Sequence, residues 1–155
     1  MSSAGVMAFA ILRASIARGM LGLTPLETRV IRGCAIFDLV VTGLMALPPT
    51  AGVFIDVLYL VNGWLGGEAV APPFVAVQWM FVHLAGALGV LWAVARIVQP
   101  TRFLGLADAA GRACVGGLIL WHVVAGGAPV ALLAFVVTEW LGTLLQWTVL
   151  RKRAV

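Results

Sequence analysis

Four apolar runs, each with an ionisable residue well inside it, alternate with short polar joints along the chain. They fall at about 30–47, 74–95, 109–126 and 129–150. A helix of about 20 apolar residues crosses a hydrocarbon core roughly 30 Å thick, so each run reads as a transmembrane helix. The joints carry helix punctuation. Thr24-Pro25-Leu26-Glu27 combines a capping threonine, a proline at the first helical position and the acid of a capping box. Pro48-Pro49 stops the first run and Pro72-Pro73 opens the second. Gln99-Pro100-Thr101-Arg102 separates the second from the third, with Asp108 as the expected N-cap. Gly126-Gly127-Ala128-Pro129 turns tightly into the fourth.

Two further stretches flank these runs. Residues 1–23 are apolar but interrupted by Arg13 and Arg18. The run 4–12 is too short to cross a bilayer, and its positive charge follows the apolar part, unlike a secretory signal. An interfacial amphipathic helix with its arginines at anionic headgroups is expected. In the 50–72 connection, Val53–Leu65 is also too short to cross. A short extracytoplasmic helix is expected there, lying at the surface or dipping in as a lid, with Tyr59 and Trp64 suited to the headgroup region. The expected fold is therefore all-α and polytopic. It has an interfacial segment (1–23), one four-helix transmembrane domain (24–150) and a basic tail (151–155).

Composition supports the same reading. Of 155 residues, 63% are hydrophobic and 10% charged, where a soluble domain carries about 25% charged residues. The net charge of +4 raises the question of nucleic acid, but the distribution answers it. Arg13, Arg18, Arg29, Arg32, Arg96, Arg102, Arg112, Arg151, Lys152 and Arg153 all fall on one side of a four-span topology. Asp56 and Glu68 fall on the other. That asymmetry is a topology signal, placing both termini in the cytoplasm and the 50–72 connection outside. No nucleic-acid partner is expected. Arg96 and Arg112, near the inner boundary, are expected to snorkel to headgroups. Cys34 and Cys114 form no C-x-x-C and are expected as buried packing thiols.

The candidate chemistry lies inside the spans. Asp38 is ten residues before Pro48, His83 ten after Pro73 and Glu139 ten after Pro129. At 1.5 Å per residue each is about 15 Å deep, near the midplane. His122 and Gln78 are shallower, at roughly 6 Å. One face of the fourth span carries Glu139, Gly142, Thr143 and Gln146, and one face of the first carries Cys34, Asp38 and Thr42. Trp79, His83 and Gly86 share a face in the second, and Gly111, Val115, Leu118 and His122 in the third. Asp38, His83 and Glu139 are the expected acid–base residues. Gln78, Trp79, His122, Trp121, Trp140, Thr42, Asp56 and Trp64 are the expected ligand contacts, with three of the tryptophans walling an apolar pocket that opens outward.

Three readings compete for this layer: a pocket for a small lipophilic ligand, which we favour; an enzyme performing acid–base isomerisation or cyclisation of a lipophilic substrate; and a structural or accessory subunit whose polar groups hold helices together; a proton relay or small-solute path is a further functional option. No metal is expected, since no helix carries E-x-x-H or H-x-x-x-H and His122 sits about 9 Å above the other groups. No phosphate-cradling, dinucleotide, nucleophile-elbow or haem motif is present, and no cofactor is expected. The partners expected are membrane lipids and a lipophilic ligand; self-association is compatible with the pattern.

The four-span pattern resembles small bacterial DoxX-like and BphX-like membrane proteins. Arg32-Gly33, the stretch Gly105-Leu106-Ala107-Asp108-Ala109-Ala110-Gly111-Arg112, and Glu139 followed by Gln146 carry the likeness over roughly 28–150. It implies a bacterial inner-membrane architecture rather than an activity. A fainter similarity is to emopamil-binding and sigma-2 type proteins, through Asp38, Asp56 and Pro72-Pro73, and implies a sterol-like ligand.

Overall fold

A computed structural model describes residues 22–151. Every regular element among them is helical: α1 Pro25–Ala46, α2 Pro48–Trp64, α3 Ala76–Val98, α4 Arg102–Gly126, a 3-10 turn Val130–Leu132, and α5 Leu133–Leu150. The expected interfacial helix and most of the basic tail lie outside the described residues. α3, α4 and the segment Val130–Leu150 are each long and apolar enough to cross a membrane. α1 carries Glu27, Arg29, Arg32 and Asp38, and passes only together with α2, from which it is bent by 106°.

Local chemistry sets the helix ends. The capping box forms as read: Thr24 Oγ1 accepts from the Glu27 amide and the Glu27 carboxylate from the Thr24 amide. At the first break α2 begins directly at Pro48, earlier than the expected Val53. Pro48 and Pro49 have no N–H to offer the carbonyls of Leu44 and Met45 four residues earlier. Both orphaned carbonyls find other donors. Thr50 Oγ1 donates to Leu44 O at 2.6 Å, and His83 Nδ1 to Met45 O at 3.0 Å. α4 starts at Arg102, capped by Thr101, so Asp108 is not its N-cap but lies inside its second turn. It ends at Gly127, whose φ of 68° is the left-handed conformation that favours glycine after a helix.

The helices form two antiparallel pairs, α1 with α3 and α4 with α5, which meet mainly through α1 and α5. Glycines permit the close approaches. A Cβ on Gly86 would fall 2.6 Å from the Met45 carbonyl carbon, and one on Gly89 2.5 Å from Thr42 Cγ2. Across the second pair, a Cβ on Gly116 would meet Trp140 Nε1 at 2.6 Å, and Gly105 sits under Leu150 and Ile31. Because α1 stops level with Gly86, ten residues into α3, it ends about 15 Å short of α3's far end. α2 closes that end. Phe54 packs edge-on against Phe135, and the fully buried Asn62 bonds Ala69 O and the Ala131 amide.

The burial pattern is inverted relative to a soluble protein. Leu84, Leu88, Leu91, Leu118, Leu141 and Leu144 are exposed on the outer faces, while Arg96, Arg112, Asp108 and Gln146 are buried. An apolar exterior around a polar seam fits a helix bundle solvated by lipid.

Candidate functional site

The two helix pairs are joined by a cluster of five charged side chains. Asp38 comes from α1, Arg96 from α3, Asp108 and Arg112 from α4, and Glu139 from α5. Arg96 Nη2 donates to Asp38 Oδ2 at 2.6 Å, and Arg96 Nη1 pairs with Asp108 Oδ2 at 2.5 Å. Arg112 is the hub. Its Nε donates to Asp108 Oδ2 at 2.9 Å, its Nη1 to Glu139 Oε2 at 3.2 Å, and its Nη2 to both Asp38 Oδ1 and the Cys34 carbonyl. A planar guanidinium with five donors is suited to bridging three carboxylates in this way.

Two neutral groups complete the cluster. Trp92 Nε1 donates to Asp108 Oδ1 at 2.9 Å, and Gln146 Nε2 to Asp108 Oδ2 at 2.7 Å. The α5 face read from the sequence packs inward as a unit. Gly142 leaves room for the Arg112 side chain, Thr143 Oγ1 donates to Ala109 O at 3.1 Å, and Gln146 reaches Asp108. On α1, Cys34, Asp38 and Thr42 also face the seam, with Thr42 Oγ1 donating to Asp38 O.

Two clefts flank the cluster. One, of about 330 Å³, lies between α3 and α4. Thr42, Gly89, Trp92, Gly111 and Val115 line it together with all five charged residues of the cluster. The other, of about 320 Å³, lies between α1 and α5. It is largely apolar, with Arg112 and Thr138 as its polar side chains, and is lined by Gly33, Cys34, Phe37, Leu141 and Gly142 among others.

Several sequence expectations change here. Arg96 and Arg112 do not snorkel outward but turn into the bundle, 0% and 4% exposed. Of the expected trio, Asp38 and Glu139 share Arg112, whereas His83 lies away from both. It caps Met45 O, stacks on Trp79 at 5.9 Å between centroids, and lines a separate groove. The depth count from Pro48 misplaced Asp38, because α1 ends short of α3. Asp38 pairs with Arg96, which lies two residues from the end of α3.

On α4 the buried face is Gly105, Asp108, Ala109, Arg112 and Gly116, not the face of Leu118 and His122. Leu118 and His122 are exposed, and Gly111 and Val115 only edge the cleft. Gln78 is exposed and caps α3 by accepting from the Val75 amide at 2.9 Å. Trp121 is 67% exposed and Trp140 packs on Gly116, so with Trp79 they wall no common pocket. Asp56 and Trp64 are exposed on α2, and Cys114 is exposed rather than buried.

The residues missed were Arg96, Arg112, Asp108 and the partner role of Trp92. A signal for them was present: three acids and two arginines in five-residue reach of apolar spans need one another in lipid. Among the described residues, no group of His, Cys, Asp and Glu is arranged to hold a metal. No family model, curated protein or solved structure matches the chain. The class follows from the fold: an all-α chain whose apolar helices fit a multi-pass membrane protein, built around a buried ion cluster.

Proposed function

We propose that this is a four-span membrane protein that binds a small lipophilic ligand in the cleft between α3 and α4. The observation that carries the reading is the cleft itself. Its volume of about 330 Å³ is within the usual range for small-molecule sites. Most of its accessible lining is apolar, and the ion cluster lines the rest, with Arg112 as a donor beside Glu139 as an acceptor. A molecule with an apolar body and a hydroxyl or carbonyl head fits that combination, the head at Arg112 and Glu139 and the body between Trp92 and Val115.

The four spans in this reading are α1 (completed by the bend into α2), α3, α4 and α5. The one-sided distribution of basic residues supports cytoplasmic termini. A bacterial inner membrane is part of this proposal, on the motif resemblance of Arg32-Gly33 and the 105–112 stretch. Isomerisation or cyclisation keeps one candidate acid–base group in the cleft, Glu139, because Asp38 is held by two arginines and His83 stands at the α1–α2 break. The accessory-subunit reading is favoured by the cluster's position between the helix pairs, and makes the opposite forecast for the cleft.

The test exploits two open glycines. A side chain on Gly111 or on Gly33 would meet nothing within 4 Å, so both sites accept substitution. Gly111→Leu fills the α3–α4 cleft and Gly33→Leu the α1–α5 cleft. Native mass spectrometry of protein released from its own membrane is expected to show a retained lipophilic molecule. Gly111→Leu should lose it at unchanged thermal stability, and Gly33→Leu should keep it. Retention by both variants, or no bound molecule in the parent protein, favours the accessory subunit.

A further inference from the structure

The cluster contains two arginines and three acids. Among the described residues, Arg96 and Arg112 against Asp38, Asp108 and Glu139, all ionised, leave one negative charge in excess in a largely buried seam, where Asp38 and Glu139 are 17% and 15% exposed. An uncompensated charge in such a place is costly, so something positive balances it.

The excess is not shared evenly. Asp38 is held by both arginines. Asp108 is met by Arg96, Arg112, Trp92 Nε1 and Gln146 Nε2. Among the described residues Glu139 pairs only with Arg112 Nη1, at 3.2 Å the longest of the five ion pairs, and like Asp38 and Asp108 it lines the α3–α4 cleft. Hydrogen bonding in the cluster is incomplete on both sides among the described residues: buried Gln146 Oε1 lacks a donor and buried Arg96 Nη1 lacks an acceptor in hydrogen-bond geometry.

We propose that Glu139 binds and releases a proton through the cleft, and that this proton supplies the missing charge. The step is formation of one O–H bond at the Glu139 carboxylate, the proton coming from water that reaches the cleft; no electrons are transferred. The groups facing Glu139 are Asp38 from α1, Arg96 from α3, and Asp108 and Arg112 from α4. α2 places no charged side chain in the cluster, its Asp56 being exposed, and His83, His122 and Cys114 stand outside it. A proton fits better than a metal cation, since no group of metal-ligating side chains is present among the described residues. The inference rests on charge and partner counts, and holds whether or not the cleft carries a ligand.

Infrared difference spectra of the full chain in lipid nanodiscs test it as the buffer pH is stepped over the range in which the fold persists. The expected result is a protonated-carboxyl carbonyl band equivalent to one group per chain. It should shift when glutamate is labelled with carbon-13 at its carboxyl and stay put when aspartate is labelled. It should vanish in Glu139→Gln and persist in Glu27→Gln and Glu68→Gln. The labelling arm needs no substitution, so misfolding of Glu139→Gln leaves the test intact. Absence of the band, its assignment to aspartate, its survival in folded Glu139→Gln, or its suppression by sodium at fixed pH overturns the proposal.

Discussion

Arg96 Nη2 donates to Asp38 Oδ2 at 2.6 Å across the α1–α3 contact, and the Arg96 side chain has no exposed surface. The direction of the helix explains why this arginine is buried. Cα–Cβ bonds tilt toward a helix N-terminus, and α3 runs toward the end of the bundle where Arg29, Arg32 and Arg102 gather. Arg96 therefore points back into the bundle, away from the headgroups it would otherwise reach. Arg112, on the oppositely directed α4, tilts toward the basic end and meets Asp108 one turn earlier.

Removing one arginine leaves buried carboxylates uncompensated. Arg112→Met is expected to cost about 3–5 kcal/mol, the usual penalty for stripping one partner from a buried charge group. Arg112→Lys should recover little, because a single ammonium cannot reproduce the fork to Asp38, Asp108 and Glu139. Arg96→Met combined with Asp38→Asn should cost less than the sum of the two. Unfolding in mixed detergent micelles measures all five variants, and additive behaviour in the double variant contradicts the pairing.

The α1–α3 contact predicts a sharp contrast between two glycines. A methyl group on Gly86 meets Met45 and Ala46 backbone, which cannot move aside, whereas one on Gly43 meets nothing within 4 Å. Gly86→Ala should destabilise by about 1–3 kcal/mol or more. Gly43→Ala should be neutral or slightly stabilising, since alanine is the better helix former. Thermal melts of the two variants in the same detergent decide it.

The break at Pro48-Pro49 makes a third forecast. His83→Ala leaves the Met45 carbonyl without its side-chain donor and should cost about 1–3 kcal/mol. Pro49→Ala returns an N–H at the position four residues on, so Pro49→Ala with His83→Ala should be less harmful than His83→Ala alone. A histidine that served the ligand site would show the reverse: normal stability and lost binding.

The topology is checked by cysteine accessibility. With Cys34 and Cys114 replaced by alanine, Glu68→Cys should react with a membrane-impermeant maleimide added outside intact cells. A cysteine in place of Arg102 should react only after the cells are opened. Labelling of the second from outside would reverse the orientation proposed here.

The elements legible in the sequence were those set by near neighbours in the chain. The Thr24–Glu27 capping box, the breaks at Pro48-Pro49 and Gln99–Thr101, and the glycine turn at 126–127 depend on a few adjacent residues. So do the inward faces of Asp38–Thr42 and Glu139–Gln146. Helix existence needed only length and apolar content. One boundary slipped where a distant donor takes part: at Pro48, where α2 starts, local Thr50 and distant His83 satisfy the carbonyls that two prolines orphan.

What the sequence determined by itself was an all-helical, lipid-compatible chain with its basic residues gathered at one end and acids inside its spans. Only the tertiary structure decided which charges meet. Depth read along one helix assumes that all helices start level, and α1 stops about 15 Å short of α3. That offset, with the opposite tilt of side chains on antiparallel helices, separates His83 from Asp38 and brings Arg96, Arg112 and Asp108 into its place. Hydrophobic periodicity fixes which face of a helix turns inward; the level at which one helix meets the next is set by glycine contacts such as Gly86 on Ala46, and no single-helix pattern encodes it.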